Sequence, residues 1–131
     1  MARKIKTHLM FEGCAEEAMN FYITLFSETK IVEIEKYGAH EAGPEGSVKR
    51  ASFLLDDREF ICIDSPVKHN FSFTPSVSIF VECESLAEAQ TLYKKLSLDG
   101  SVLMPLDDYG FSKQFAWVTD RFGVSWQINL A

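Results

Sequence analysis

Two short phrases of this chain return at fixed distances, and they carry most of its candidate chemistry. Asp57-Arg58 leading to Asp64 recurs as Asp120-Arg121 leading to Gln127, 63 positions on. Glu17-Ala18 with Tyr22 recurs as Glu88-Ala89 with Tyr93, 71 positions on. Unequal shifts suit two copies of one module whose loops differ in length, and so long a period argues for two pseudo-symmetric halves, not a solenoid. The repeat makes Asp64 and Gln127 equivalent: a carboxylate that accepts hydrogen bonds or pairs with a cation, and an amide that both donates and accepts. Strand alternation extends each position. If Asp64 faces a shared cavity, so do Cys62 and Phe60, with Ile61 and Ile63 toward the helices. If Gln127 faces it, so does Ser125, with Trp126 and Ile128 behind. Arg50, Ser52 and Leu54 share one face of the preceding strand, and the same shift sets them against Lys113, Phe115 and Trp117. Aromatic walls, two cations and a few polar groups suit a small, partly anionic organic ligand. Alternatively, Arg50 and Lys113 are rim residues whose charged heads reach solvent.

The remaining reactive side chains point to less. Cys14, Cys62 and Cys83 form no C-x-x-C pair, which argues against a zinc knuckle or a thioredoxin-like site. Cys62 is the one nucleophile in the expected cavity, and it lacks a histidine partner that would make it a thiolate. His40 lies in a Gly/Pro-rich loop and His69 in a linker. His8 sits near the start of a strand with no evident carboxylate partner, so it reads as a packing residue. Glu16-Glu17 fits a helix first turn, and Asp56-Asp57 and Asp107-Asp108 fit turns. No glycine-rich phosphate or adenosine cradle follows a parallel strand.

Composition bounds the class. At 131 residues with 47% hydrophobic content, the chain can bury a core as a single domain covering 1–131. The net charge of −6 is spread along the sequence without a basic run, so nucleic acid is not an expected partner. No stretch reaches the length of a membrane span, and no apolar segment follows Met-Ala-Arg-Lys at the start. The Asn70-Phe71-Ser72 glycosylation pattern is then accidental, and a cytoplasmic location is expected.

The elements that must position these residues read as follows. Ile5 to Phe11 alternates as a strand, and Ala15, Ala18, Phe21 or Tyr22, and Leu25 fall at helical spacing. Ile31 to Tyr37, Val48 to Leu55 and Glu59 to Asp64 are strands, the last two joined by an Asp56-Asp57-Arg58 hairpin. Ser65 to Pro75 links the halves, giving module one as 1–70 and module two as 71–131. Ser76 to Val81 repeats the first strand. Ser85 and Glu88 form a capping box for a helix buried through Leu86, Ala89, Leu92 or Tyr93, and Leu96, with Gly100 just past its end. Val102 to Met104, Lys113 to Val118 and Val124 to Leu130 complete the strands. The class is α+β: two β-α-β-β-β modules.

Three phrases carry a family resemblance: His8-Leu9-Met10-Phe11-Glu12-Gly13, Ala15-Glu16-Glu17-Ala18-Met19-Asn20-Phe21-Tyr22, and Asp120-Arg121-Phe122-Gly123-Val124-Ser125-Trp126-Gln127-Ile128. They resemble the PhnB-like subgroup of the vicinal-oxygen-chelate superfamily, often labelled 3-demethylubiquinone-9 3-methyltransferase. That superfamily includes glyoxalase I, extradiol dioxygenases and bleomycin-resistance proteins. The resemblance implies curved, mainly antiparallel sheets around a cavity. It also implies one of three roles: binding a small molecule, metal-dependent lyase, isomerase or dioxygenase chemistry, or methyl transfer. The superfamily's metal positions carry over to Thr7, Asp64, Ser76 (or Ser78, two residues on) and Gln127. Three neutral oxygens and one carboxylate are a weak set for a divalent cation, so a metal-free ligand cavity with no cofactor is expected. Asp64 would then accept a hydrogen bond from the ligand or pair with a cationic group on it, and Trp117 would wall it. The resemblance further implies a homodimer, which would cover sheet edges.

Overall fold

The computed structural model describes residues 3–131, which fall into two compact units divided between His69 and Asn70. Each unit has the order strand, helix, strand, strand, strand, and the fold is α+β.

The first unit contains β1 (Thr7–Phe11), α1 (Ala15–Tyr22), β2 (Thr29–Lys36), β3 (Val48–Leu55) and β4 (Arg58–Asp64). Its four-stranded sheet has the order β1-β4-β3-β2. β1 runs parallel to β4, while β4–β3 and β3–β2 are antiparallel hairpin neighbours. The parallel pair is possible because the chain crosses through α1 before returning to the sheet. The first strand begins at Thr7, leaving Ile5 outside it and 90% exposed.

The helix buries Ala15, Ala18, Met19 and Tyr22, whose i, i+3, i+4, i+7 spacing forms one apolar stripe. Tyr22 meets Phe53 of β3 at 6.4 Å between ring centroids, and Phe53 stacks on Phe60 of β4 at 5.3 Å. The core of this unit therefore lies between α1 and one face of the sheet.

The second unit contains β5 (Ser78–Glu82), α2 (Leu86–Ser97), β6 (Ser101–Asp107), β7 (Gln114–Thr119) and β8 (Ser125–Leu130), in the order β5-β8-β7-β6. Again the first and last strands pair in parallel and the others antiparallel. Ser85 caps α2, its hydroxyl accepting the Glu88 N–H at 3.1 Å. Glu88 reaches back to the N–H of Glu84, one residue before the cap, at 3.1 Å. Ala89, Leu92 and Leu96 are buried along the helix, as are Ala116, Val118, Trp126 and Ile128 on β7 and β8, all four fully covered. This wholly apolar set is the face on which α2 packs.

Past α2 the left-handed residue is Asp99, at φ 59°. Gly100 serves a different need: a Cβ there would stand 2.1 Å from the Thr119 carbonyl oxygen. The end of α2 approaches the β7–β8 turn too closely for any side chain at that position.

Candidate functional site

Strand pairing decides which side chains share a face, and the two units differ from the simple repeat. Asp64, Cys62 and Phe60 pair with Phe11, Leu9 and Thr7, and Phe60 lies on the α1 side with Phe53. Asp64 is 3% exposed, and its carboxylate faces the start of α1. Oδ1 accepts the backbone N–H groups of Gly13 at 2.7 Å and Ala15 at 3.0 Å, and Oδ2 accepts that of Val48 at 2.9 Å. α1 begins after Cys14, which makes no side-chain cap, so Asp64 supplies the cap from another strand. The expectation that Asp64 and Cys62 turn away from the helix, with Ile61 and Ile63 toward it, is thus inverted. Thr7 also lies on the helix side.

In the second unit the expected alternation is the one observed. Trp126 and Ile128 take the α2 side, and Ser125 and Gln127 take the other. Asp64 and Gln127 therefore occupy opposite kinds of face in their own units. The cause is the turn before each last strand. β3 and β4 are separated by Asp56 and Asp57 alone, with Asp56 at φ 57°, whereas β7 and β8 are separated by residues 120–124. The two turns differ by an odd number of residues, and in a strand of period two an odd slip exchanges the faces. In the longer turn, Asp120 Oδ1 accepts the N–H groups of Phe122 at 2.8 Å and Val124 at 3.0 Å, and Oδ2 accepts the indole N–H of Trp126 at 2.9 Å. The repeated Asp-Arg phrase therefore sits differently in the two turns: Arg58 opens β4, and Arg121 remains in the loop.

On the first unit's face away from α1 lie His8, Met10, Ile61 and Ile63, with Arg50, Ser52 and Leu54 from β3 and Glu59 from β4. Arg50 and Ser52 are thus separated from Asp64 and Cys62 by the sheet. Arg50 is exposed and pairs loosely with Glu33 at 3.7 Å. Ser52 donates to Glu59 at 2.8 Å, and Lys4 and Lys6 pair with the same carboxylate. Hydrogen bonds from Lys4, then Lys6 and Ser52, hold Glu59 down to about 2. Burial pushes the Cys62 thiol up to about 12, with the Asp64 carboxylate adding to the effect, which keeps it protonated and unreactive near neutrality.

The second unit's face away from α2 gathers the expected residues most fully. Ser78 pairs with Ser125 and Phe80 with Gln127 across β5–β8, while Trp117 pairs with Gln127 and Phe115 with Asn129 across β7–β8. Ser78 Oγ and Ser125 Oγ stand 2.7 Å apart. Trp117 Nε1 donates to Ser125 Oγ at 2.9 Å, and Gln127 Nε2 donates to Ser78 Oγ at 3.3 Å. At the far end Asn129 donates to Glu82 at 3.1 Å. Phe80 and Phe115 approach at 6.5 Å, and Phe115 meets Phe111 edge-on at 5.1 Å and Tyr109 at 6.3 Å. Tyr109 and Phe111 stack across Gly110, whose φ of 98° folds the loop back. Ser76 lies before β5, with its hydroxyl 3.1 Å from that of Thr74. Lys113 is exposed, one position before β7.

Sequence reasoning missed Phe80, Tyr109 and Phe111. Phe80 was legible by continuing the alternation from Ser78. The two loop aromatics lie outside any periodic element, and only the turn at Gly110 brings them to Phe115.

The positions that the resemblance assigns to a metal do not fit one. Both Asp64 oxygens are occupied by backbone N–H groups, Thr7 lies on the α1 side, and Ser78 and Gln127 are neutral and bonded to each other. Among the described residues, no three His, Cys, Asp or Glu side chains gather as a possible metal-holding group. Nor, among those residues, is any helix long and apolar enough to cross a membrane.

Comparison with known proteins agrees with this architecture. Residues 3–129 match the family described as 3-demethylubiquinone-9 3-methyltransferase. The chain is 54% identical to the PhnB protein from Bacillus cereus, covering 98% of this chain and 100% of that one, with a TM-score of 0.96. It is 27% identical to protein PA1353 from Pseudomonas aeruginosa, covering 98% of each chain, with a TM-score of 0.83. A glyoxylase/bleomycin resistance protein/dioxygenase domain from Frankia sp. EAN1pec is 11% identical, over 100% of this chain and 98% of that one, at a TM-score of 0.68, and so shares the fold. No curated protein matches the chain. With the family match spanning both units and 54% identity to the PhnB protein over nearly the whole chain, the chain belongs to the PhnB-like, 3-demethylubiquinone-9 3-methyltransferase family.

Proposed function

We propose that this protein binds a small organic molecule on the β5–β8–β7 face of its second unit, without a metal ion. One observation carries the reading. Hydroxyl, amide and indole groups from three strands converge on the Ser78–Ser125 pair, and aromatic rings flank them. A few directed polar groups set among apolar walls are the usual make-up of a small-molecule site. The face also includes Ser78, Phe115, Trp117, Ser125 and Gln127, all of which the sequence nominates as ligand-binding. Methyl transfer, the activity in the family's description, would need a methyl donor, and the chain carries no glycine-rich cradle for one.

The test is a titration followed through the two indole N–H resonances, assigned with Trp117→Phe. Flat aromatic ketones and acids, such as 2-acetylnaphthalene and 2-naphthoate, should move the Trp117 signal and leave that of Trp126, which is tied to Asp120, in place. S-adenosylmethionine serves as the competing probe: saturable binding by it alone would favour methyl transfer and overturn the proposal. We further propose that the protein works as a homodimer in the cytoplasm. A monomer alone in sedimentation at micromolar concentration would refute the dimer.

A further inference from the structure

The hydrogen-bond inventory around Ser78 and Ser125 says what kind of ligand atom this face takes. Trp117 Nε1–H and Gln127 Nε2–H each donate into the pair, one to each hydroxyl. Each hydroxyl brings one proton of its own. One of those protons fills the 2.7 Å bond between the two oxygens. The other has no good acceptor. If it is on Ser78, its partner is the Pro75 carbonyl at 3.4 Å, at the weak limit for a hydroxyl. If it is on Ser125, no acceptor stands in reach among the described residues.

The alternative orientation of the Gln127 amide gives the same answer. With Oε1 toward Ser78, the chain from Trp117 through Ser125 and Ser78 to Gln127 closes, and the amide turns both its N–H groups outward. In one orientation the cluster presents a hydroxyl proton and an N–H beside one amide oxygen. In the other it presents both amide N–H groups, beside the spare lone pairs of oxygens already engaged in hydrogen bonds. Both leave two protons without a good acceptor.

We infer that the bound molecule is a flat aromatic compound bearing a carbonyl or carboxylate oxygen, which accepts the protons that the Ser78–Ser125–Gln127 cluster leaves without a good acceptor. This rests on the reading of the face as a ligand surface. Trp117 and Phe80, which pair with Gln127 from either side, flank the ring system. A ligand offering only N–H or O–H groups could bond to a free oxygen lone pair but would leave these protons without an acceptor, and is disfavoured.

The experiment compares 2-acetylnaphthalene with 2-isopropylnaphthalene, which has the same shape without the oxygen, with 2-naphthoate separating an anionic acceptor from a neutral one. The ketone should bind about fivefold more tightly than the hydrocarbon, the gain of one additional hydrogen bond. That advantage should shrink towards onefold in Ser78→Ala and in Gln127→Glu, the latter replacing donors by acceptors. Equal binding of ketone and hydrocarbon, each moving the Trp117 signal, would overturn the inference while leaving the ligand face in place. An undiminished advantage in both variants would overturn the assignment to this cluster. No movement of the Trp117 signal by any probe would overturn the ligand face and this inference with it.

Discussion

Asp64 Oδ1 lies 3.0 Å from the backbone nitrogen of Ala15, so the last residue of β4 caps the helix that follows β1. The same carboxylate ties down Gly13 and Val48, joining the β1–α1 turn to the start of β3. Its conspicuous position near the end of a strand serves the fold.

Asp64→Ala is therefore expected to cost stability. Three backbone N–H groups would lose their acceptor in a buried place, and such losses cost about 1–3 kcal/mol each where water cannot replace the partner. The loss in urea unfolding should reach roughly 3 kcal/mol or more, with Asp64→Asn losing about half as much because one oxygen remains. A variant within about 1 kcal/mol of the parent would refute the capping role.

Gly100→Ala should be costly although its backbone is not left-handed. The added methyl would meet the Thr119 carbonyl at 2.1 Å, and that carbonyl belongs to a strand end with little freedom to move. A loss of roughly 1–3 kcal/mol is expected, as for other overpacked sites. Asp99→Gly, by contrast, relieves a residue at φ 59° and should be neutral or mildly stabilising. Chemical denaturation of both variants separates close approach from backbone conformation.

Glu59 should make stability depend on acid. Its carboxyl is lowered from 4.5 to about 2, chiefly by hydrogen bonds from Lys4, Lys6 and Ser52. A group whose value falls on folding contributes stability that is present above the unfolded value and lost as pH falls through the folded one. The difference in urea midpoint between the parent and Glu59→Gln should thus be constant above about pH 5 and shrink between about pH 4.5 and 2. A difference unchanged down to pH 2 would refute the Glu59 cluster.

Cys62 and Cys83 should resist thiol reagents in the folded protein at pH 8. Both are buried, and burial pushes each thiol up to about 12. Cys14 is only half-buried. Ellman's reagent should label Cys14 ahead of the other two, which should react once guanidinium unfolds the chain. Equal rates at all three cysteines in native buffer would contradict this.

The strands, both helices and the repeat were legible because each rests on local chemistry. Period-two alternation marks Val48–Leu55, and the Ser85–Glu88 spacing marks the start of α2. The family was legible too, because the phrase from Asp120 to Ile128 combines a tight turn with a buried strand, and both constrain residue type. The second unit's face followed from alternation alone: once Gln127 was placed, Ser125 shared its side and Trp126 did not.

Only the tertiary structure decided the face of the first unit. A uniform shift from Asp57-Arg58 to Asp120-Arg121 made Asp64 the counterpart of Gln127, but the turns they follow differ by an odd number of residues. Sequence similarity counts positions, whereas a pleated strand counts them in pairs, so one unmatched residue exchanges every side chain between core and opposite face. Nor could local pattern show that Asp64 caps α1, since its partners Gly13, Ala15 and Val48 are distant along the chain and meet it only when β1, β3 and β4 pair. The sequence determined which elements form and which residues alternate within them. The strand register, which follows from turn length and long-range pairing, decided what each alternating set faces.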